Sequence, residues 1–267
     1  MITIISPAKN MKVDKNGTKP QTLPYYIEET KEIWEKLKKY LPGDLEVLMK
    51  INGKLAEDSF DRIQHMHFDE NGTSAIETYD GIQYKYMDPA GFSEKGKAFA
   101  QEHLRVLSGL YGVVRPYDSI YEYRLEMQTK LSVAGKKHLY DFWGDKIWKK
   151  LESDLSIQGE KHGKEQAARE QGDASRVILN LASEEYTKAI RKYIKPPYRM
   201  VTCQFKTYSK GSYKVLATAA KMARGSMVRY LCENQIDDLA QIKNFDWEGY
   251  HFEESLSNPE EYVFLQD

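Results

Sequence analysis

Forty-seven consecutive residues, from Tyr186 to Cys232, contain no Asp or Glu, yet they carry eleven cations: Lys188, Arg191, Lys192, Lys195, Arg199, Lys206, Lys210, Lys214, Lys221, Arg224 and Arg229. An even spread of the 40 acidic residues over 267 positions would put about seven in this stretch. Subtracting the segment from 39 basic and 40 acidic groups leaves 28 basic and 40 acidic residues elsewhere, or -12. The formal charge of -1 therefore hides an electrically two-sided chain. An unpaired charge is too costly to bury, so the fold must set these cations in water, against distant carboxylates, or around an anionic ligand.

The rest of the composition bounds the class. With 41% hydrophobic, 12% aromatic and 30% charged residues, the chain can bury a substantial core under a solvated surface, which excludes disordered, collagenous and disulfide-scaffold classes. No apolar run approaches the roughly 20 residues of a membrane span, and residues 2–5 are too short for a signal-peptide core. The two cysteines, Cys203 and Cys232, lack CxxC spacing and are read as buried small hydrophobes. A protein of the cytoplasm, away from the membrane and folded as one unit over residues 1–267, is expected.

Periodicity supplies a coarse element map. Residues 2–5, cut off by Pro7, read as a buried strand feeding a loop with Lys9 at its mouth. Helical spacing predicts helices between Pro24 and Pro42, over 45–66 with a break near Asn52-Gly53, over 93–107 and over 140–151. Strands are predicted over 123–133 and 177–181, then a helix from Ser183 to Pro196 and a hairpin over 199–216 turning at Gly211. A helix over 218–233, a short one over 238–242 and strands over 250–252 and 262–265 complete the map. Residues 156–176 carry three glycines and few large apolar side chains and read as an exposed insertion. The result is a mixed α/β (α+β) chain, an irregular mixed sheet surrounded by helices without a steady βαβ rhythm.

Several constellations bear on chemistry. Continued as one helix, Lys214, Lys221, Arg224 and Arg229 fall within an arc of about 140°. Seven aromatics between Tyr186 and Tyr230 interleave the cations, a composition suited to polyanions and unpaired bases as well as to a solvated basic face. Gly109 and Gly112, three apart in LSGLYGVVRP, match a phosphate-contacting hairpin between two helices, with a plain packed turn as the alternative. Arg115 flanks that turn. Arg124 and Glu126, two apart on a predicted strand, share a face and read as a cleft-lining or structural ion pair. Ser6-x-x-Lys9 matches SxxK formally but lacks its companion motifs, and His65-x-His67-x-Asp69 lacks a complete metal shell. No Walker, GxGxxG, GxSxG or HExxH motif is present, so no cofactor or metal is assigned.

Ser6-Pro-Ala-Lys9, LSGLYGVVRP (107–116), YRLEM (123–127), LYDFWG (139–144), NLASEEY (180–186), AKMARGSMVRYL (220–231) and GYHF (249–252) together resemble the YaaA family of bacterial peroxide-stress proteins, in order and end to end. The resemblance implies a cytoplasmic protein that binds double-stranded or structured DNA, limits iron-linked oxidative damage and connects with repair. It also implies an unusual α/β fold with a positively charged cleft and a helix-hairpin-helix element. Position by position it carries over Lys9, Arg115, Arg124, Lys221, Arg224 and Arg229, whereas residues 156–176 match nothing in the family pattern. With Gly109, Gly112, Lys206 and Lys214 from the residue reading, these form the expected DNA-binding set. The competing expectation is an enzyme acting on a small anion such as a nucleotide, held by Lys9, Arg115 and Arg124 with Glu126 as base.

Overall fold

The computed structural model describes residues 1–14, 16–69, 71–163 and 176–267. Its organising strand is β1 (Ile2–Ile5), whose residues are all buried. Seven more strands join it in one mixed sheet: β2 (Leu104–Ser108), β3 (Gly112–Val114), β4 (Val177–Leu181), β5 (Arg199–Ser209), β6 (Ser212–Lys214), β7 (His251–Phe252) and β8 (Glu261–Gln266). Across the sheet the order is β7-β8-β5-β4-β1-β2-β3, with β6 hairpinned onto β5. The five central strands, β8, β5, β4, β1 and β2, are mutually parallel, and the antiparallel partners lie outside them. Continuous apolar runs such as Ile2-Thr-Ile-Ile and Val177-Ile-Leu-Asn-Leu suit central strands covered on both faces.

The chain leaves β1 toward β2 on one side and later returns to β4 on the other. The direction of winding therefore reverses at β1, and the loops leaving β1 and β4 part at their carboxyl ends. Parallel strands with this topology open a crevice at that point. A two-strand ladder, Asn10–Met11 with Tyr79–Asp80, holds the loop after β1 against the helix Ile82–Met87. Helix Ala217–Asn234 then lies across Ile82–Met87. Gly225 makes the approach possible, because a Cβ there would meet the Gln83 carbonyl oxygen at 2.1 Å.

Several predicted elements hold: the helix Ile27–Leu37, the break between Pro42–Met49 and Gly53–Gln64, the hairpin at 199–214 and the helix Ala217–Asn234. Asn52 makes that break by accepting a hydrogen bond from Leu55 N at 3.0 Å as the N-cap of the second helix. Others are corrected. The helix expected over 93–107 stops at His103, and Leu104–Ser108 is a strand, because Leu104, Val106 and Leu107 serve a two-sided core. Arg105 tolerates that burial through Asp154, at 2.8 Å, which Lys150 also contacts at 2.6 Å. Residues 123–133 are not a strand. They alternate buried Tyr123, Leu125 and Met127 against more open neighbours, but pair with no ladder.

The helix expected over 140–151 is two, Leu139–Trp143 and Lys146–Gly163, parted at Gly144 with φ +51°. The second runs into the expected insertion. There Gln158 is buried and accepts from the Met1 ammonium at 3.1 Å, whereas Ser156 and Ile157 are exposed, and 164–175 lie outside the described residues. The helix expected from Ser183 shrinks to a single turn, Glu184–Thr187, and a 3-10 turn, Arg191–Tyr193.

Gly225→Ala should cost about 1–3 kcal/mol by forcing the two helices apart, read as a lowered urea midpoint. Asp154→Asn leaves Arg105 buried without its charge partner and should cost about 3–5 kcal/mol near pH 7. Burial raises the Asp154 carboxyl, but Arg105 and Lys150 more than offset this and hold it below its usual range. A depressed native value stabilises above the unfolded value and loses that contribution as pH falls through it. The gap between parent and Asp154→Asn should therefore close on acidification below about pH 4 in urea titrations.

Candidate anion-binding crevice

The two diverging loops enclose a cavity of about 440 Å³. Ser6 to Asn10 come from the end of β1, Ser183, Glu185 and Tyr186 from the end of β4, Asp80 to Tyr84 from the ladder and helix, Tyr123 to Glu126 from the irregular segment, and Lys221 and Arg224 from the long helix. The two loops are tied at their roots. Ser183 N donates to Ser6 Oγ at 2.8 Å, and the Tyr84 hydroxyl donates to Ser6 O at 2.9 Å. Beneath lie buried phenols: Tyr123 OH meets Tyr79 OH at 2.9 Å and Ser108 Oγ at 2.7 Å. Burial pushes Tyr123 up to about 12 and Tyr79 and Tyr84 well above their ordinary value, so this floor is uncharged.

Charge enters at the walls. Lys9 Nζ pairs with Glu126 Oε1 at 2.7 Å, and Arg124 donates to the Lys9 carbonyl at 3.3 Å. Burial raises the Glu126 carboxyl, but hydrogen bonds from Lys9 and Gln128 and the charges of Lys9 and Arg124 outweigh it and leave it below the usual range. Glu185 goes the other way. Burial and the nearby Glu126 charge lift it, against the Gln128 N–H that reaches its Oε1 at 3.2 Å. Gln128 thus touches both carboxylates, its side-chain amide donating to Glu126 Oε2 at 3.1 Å.

Elsewhere in the lining, two cations are unmatched. Among the described residues, neither Lys221 nor Arg224 has a carboxylate partner, and Arg224 Nε is buried without any hydrogen-bond acceptor. Burial lowers the affinity of this guanidinium for its proton. Gln83, 8% exposed, also leaves its Nε2 unpartnered in the same lining. Each such buried donor costs on the order of 1–3 kcal/mol until an acceptor reaches it. In a second cavity of about 470 Å³, Arg191 is held bidentately by Glu184 at 2.9 and 2.7 Å, and Lys188 and Lys192 lie over the Tyr140 and Tyr193 rings.

Of the ten expected site residues, Lys9, Arg124, Lys221 and Arg224 meet here. The others do not. Gly109 and Gly112 bound a buried turn between β2 and β3, not between two helices, which corrects the helix-hairpin-helix expectation at this position. A Cβ on Gly112 would strike the Trp143 ring at 2.7 Å, and the Gly109 carbonyl accepts from Trp143 Nε1, so the turn is packed away from solvent. Arg115 is tied to Asp118, with N–H groups at 3.0 and 3.1 Å, and lines a separate small depression. Arg229 is held by Asp88 at 2.6 Å. Lys206 is in register with Leu265, and Lys214 with Thr207, one position on, so the two lie on opposite faces of the sheet.

Of the seven interleaved aromatics, Tyr186 and Phe205 are core, and only Tyr208 and Tyr213 on the hairpin are exposed. Cys203 and Cys232 are buried free thiols, as small hydrophobes are. Sequence reasoning missed Gln83 and Glu185. For Glu185 a signal existed: it follows a recognised strand at the end where parallel sheets place ligands.

Relatives of the chain match it throughout. A family model described as peroxide stress protein YaaA matches residues 1–256. The chain belongs to the YaaA peroxide-stress family. Members of the same family include UPF0246 proteins of Clostridioides difficile, 45% identical with both chains covered in full, and of Clostridium beijerinckii, 40% identical over all of this chain and 98% of the relative. One from Agathobacter rectalis is 38% identical over 99% of this chain and 98% of its own. No helix among the described residues is long and apolar enough to cross a membrane.

The opposed shifts of Glu126 and Glu185 generate a direct check. In carbon-detected NMR, Glu185 should titrate above the ordinary glutamate value of 4.5. In Glu126→Gln its midpoint should move down, because a neighbouring negative charge has been removed. An unmoved midpoint would place the two carboxylates too far apart to interact.

Proposed function

We propose that this member of the peroxide-stress family binds DNA, and that the crevice between the ends of β1 and β4 holds phosphate. The observation that carries the reading is Arg224, a half-buried guanidinium on a cavity wall, without an acidic partner among the described residues and with Nε unpartnered. A phosphate oxygen supplies the missing acceptor and the missing charge together. Lys221 stands beside it, exposed and equally unpaired. Outside the crevice, the hairpin spreads Lys206, Lys210 and Lys214 with exposed Tyr208 and Tyr213 over both faces of the sheet, a broad cationic surface drawn from the stretch that excludes Asp and Glu. Such a surface attracts a polyanion over a Debye length of about 8 Å at physiological salt. The family resemblance supports DNA as that polyanion.

A second reading, an enzyme for a small anion with Glu126 as base, is favoured by the enclosed volume of about 440 Å³, within the usual range of small-molecule sites. Glu126 lies on the cavity wall with Gln128 donating to it at 3.1 Å.

Salt dependence tests the first reading. Each phosphate neutralised contributes about -0.9 to the slope of log affinity against log salt. Replacing Lys221 and Arg224 by Gln should weaken duplex binding for every sequence alike and flatten that slope by about 1.8. Fluorescence anisotropy over a salt series reads both quantities, with thermal melts confirming that the variant folds. Unchanged affinity and slope would remove the crevice from the DNA contact.

A further inference from the structure

The crevice can meet a backbone phosphate but is too small to admit a duplex. A cavity of about 440 Å³ is of the size of small-molecule sites, far below what a duplex about 20 Å across would need. A base pair within a helix cannot enter. One nucleotide, out of the stack or at a strand end, fits the volume class of the cavity. The lining is polarised to match such a unit. One wall offers the unpaired cations Lys221 and Arg224 and the unpartnered amide of Gln83. A separate part of the lining offers the acceptors Glu126 and Glu185, both half-buried and bridged by Gln128, with Lys9 paired to Glu126. Apolar surface from Pro7, Ile82 and Leu125 also lines the space, a surface against which a flat ring can lie.

A phosphate alone would leave the Glu126 and Glu185 acceptors unused. A neutral nucleoside would leave the cationic wall unsatisfied. Only a ligand with an anionic group at one end and hydrogen-bond donors at the other uses both. The floor between them is uncharged, so neither end is drawn to the middle.

Resting on the phosphate reading above, we propose that the crevice accepts a single nucleotide, its phosphate on Arg224 and Lys221 and the amino or hydroxyl donors of its base and sugar on Glu126 and Glu185. The nucleotide comes from an unpaired position or strand end in DNA, or from the free pool. The chemistry recognised is the same, and the two sources are separable.

Titration calorimetry of the full chain with the four 2′-deoxynucleoside 5′-monophosphates, the matching nucleosides and inorganic phosphate tests the ligand class. The monophosphates should bind at least tenfold more tightly than nucleosides or phosphate. Lys221→Ala, an exposed position whose loss leaves the core intact, should weaken them about tenfold. Glu185→Gln should weaken dAMP, dCMP and dGMP, which carry exocyclic amines, more than dTMP. Inorganic phosphate binding as tightly as the nucleotides would overturn the proposal, and so would an unchanged ranking in Glu185→Gln.

Anisotropy with a blunt duplex and the same duplex carrying a one-base bulge separates the sources. A tenfold preference for the bulge, competed away by dAMP, assigns the nucleotide to DNA. Monophosphate binding without that preference assigns it to the free pool. If both duplexes bind equally and no monophosphate binds, the single-nucleotide proposal falls while the DNA reading stands. If neither DNA nor monophosphate binds, both fall.

Discussion

Ile2–Ile5 is paired on both edges, and both neighbours run parallel to it. Parallel pairing on two sides forces the chain to wind outward in opposite senses from one strand, and the loops that leave its carboxyl end and that of β4 have no sheet between them. Lys9, Arg124, Lys221 and Arg224 gather in that gap. Lys9 is there because it lies four residues beyond Ile5, Glu185 because it lies four beyond Leu181, and both positions are set by ladder register more than by loop chemistry. The short Asn10–Met11 ladder and the Tyr84 hydrogen bond to Ser6 keep the first loop from collapsing into the space.

The second constraint is the close crossing of helix Ala217–Asn234 over Ile82–Met87. It brings Lys221 and Arg224 to the crevice while Arg229, on the same sequence-predicted arc, is diverted to Asp88. One helix therefore divides its cations between structure and vacancy. Gly225, immediately after Arg224, marks the place where the backbone itself is the packing surface, and the arginine beside it inherits a half-buried position that a looser crossing would not impose.

Much of this was legible in the residues. The strand at 2–5, the hairpin at 199–214 and the helix after it follow from local periodicity and turn chemistry, and four of the ten expected site residues do converge. What failed was non-local. Leu104-Arg-Val-Leu-Ser is a helix continuation by propensity and becomes a strand because β1 needs a parallel partner, an outcome no window of sequence contains. Gly109 and Gly112 suit a phosphate-binding turn by spacing, yet Trp143, more than thirty residues later, seals them in. The cationic stretch looked like one surface, but a strand alternates its faces, and Lys206 and Lys214 part company for that reason alone. Gln83 was invisible because its significance lies in having no partner, which only packing can reveal.

The charge asymmetry and the crevice work at different distances. Cations spread over both faces of the hairpin cannot specify a geometry, but their field falls off slowly enough to concentrate an anion near the protein, and high salt weakens exactly that contribution. The walls of the crevice act only within hydrogen-bond reach, where a half-buried guanidinium and an unpartnered amide discriminate by geometry and are screened far less. A protein built this way would gather polyanions broadly and select among them narrowly, with the selection made by whatever single unit can leave the polymer and enter. On the proposed reading, that separation accounts for an acid-free stretch extending well past the two residues that line the cavity, with Lys221 and Arg224 making the contact and the remaining cations not tied to carboxylates serving the approach.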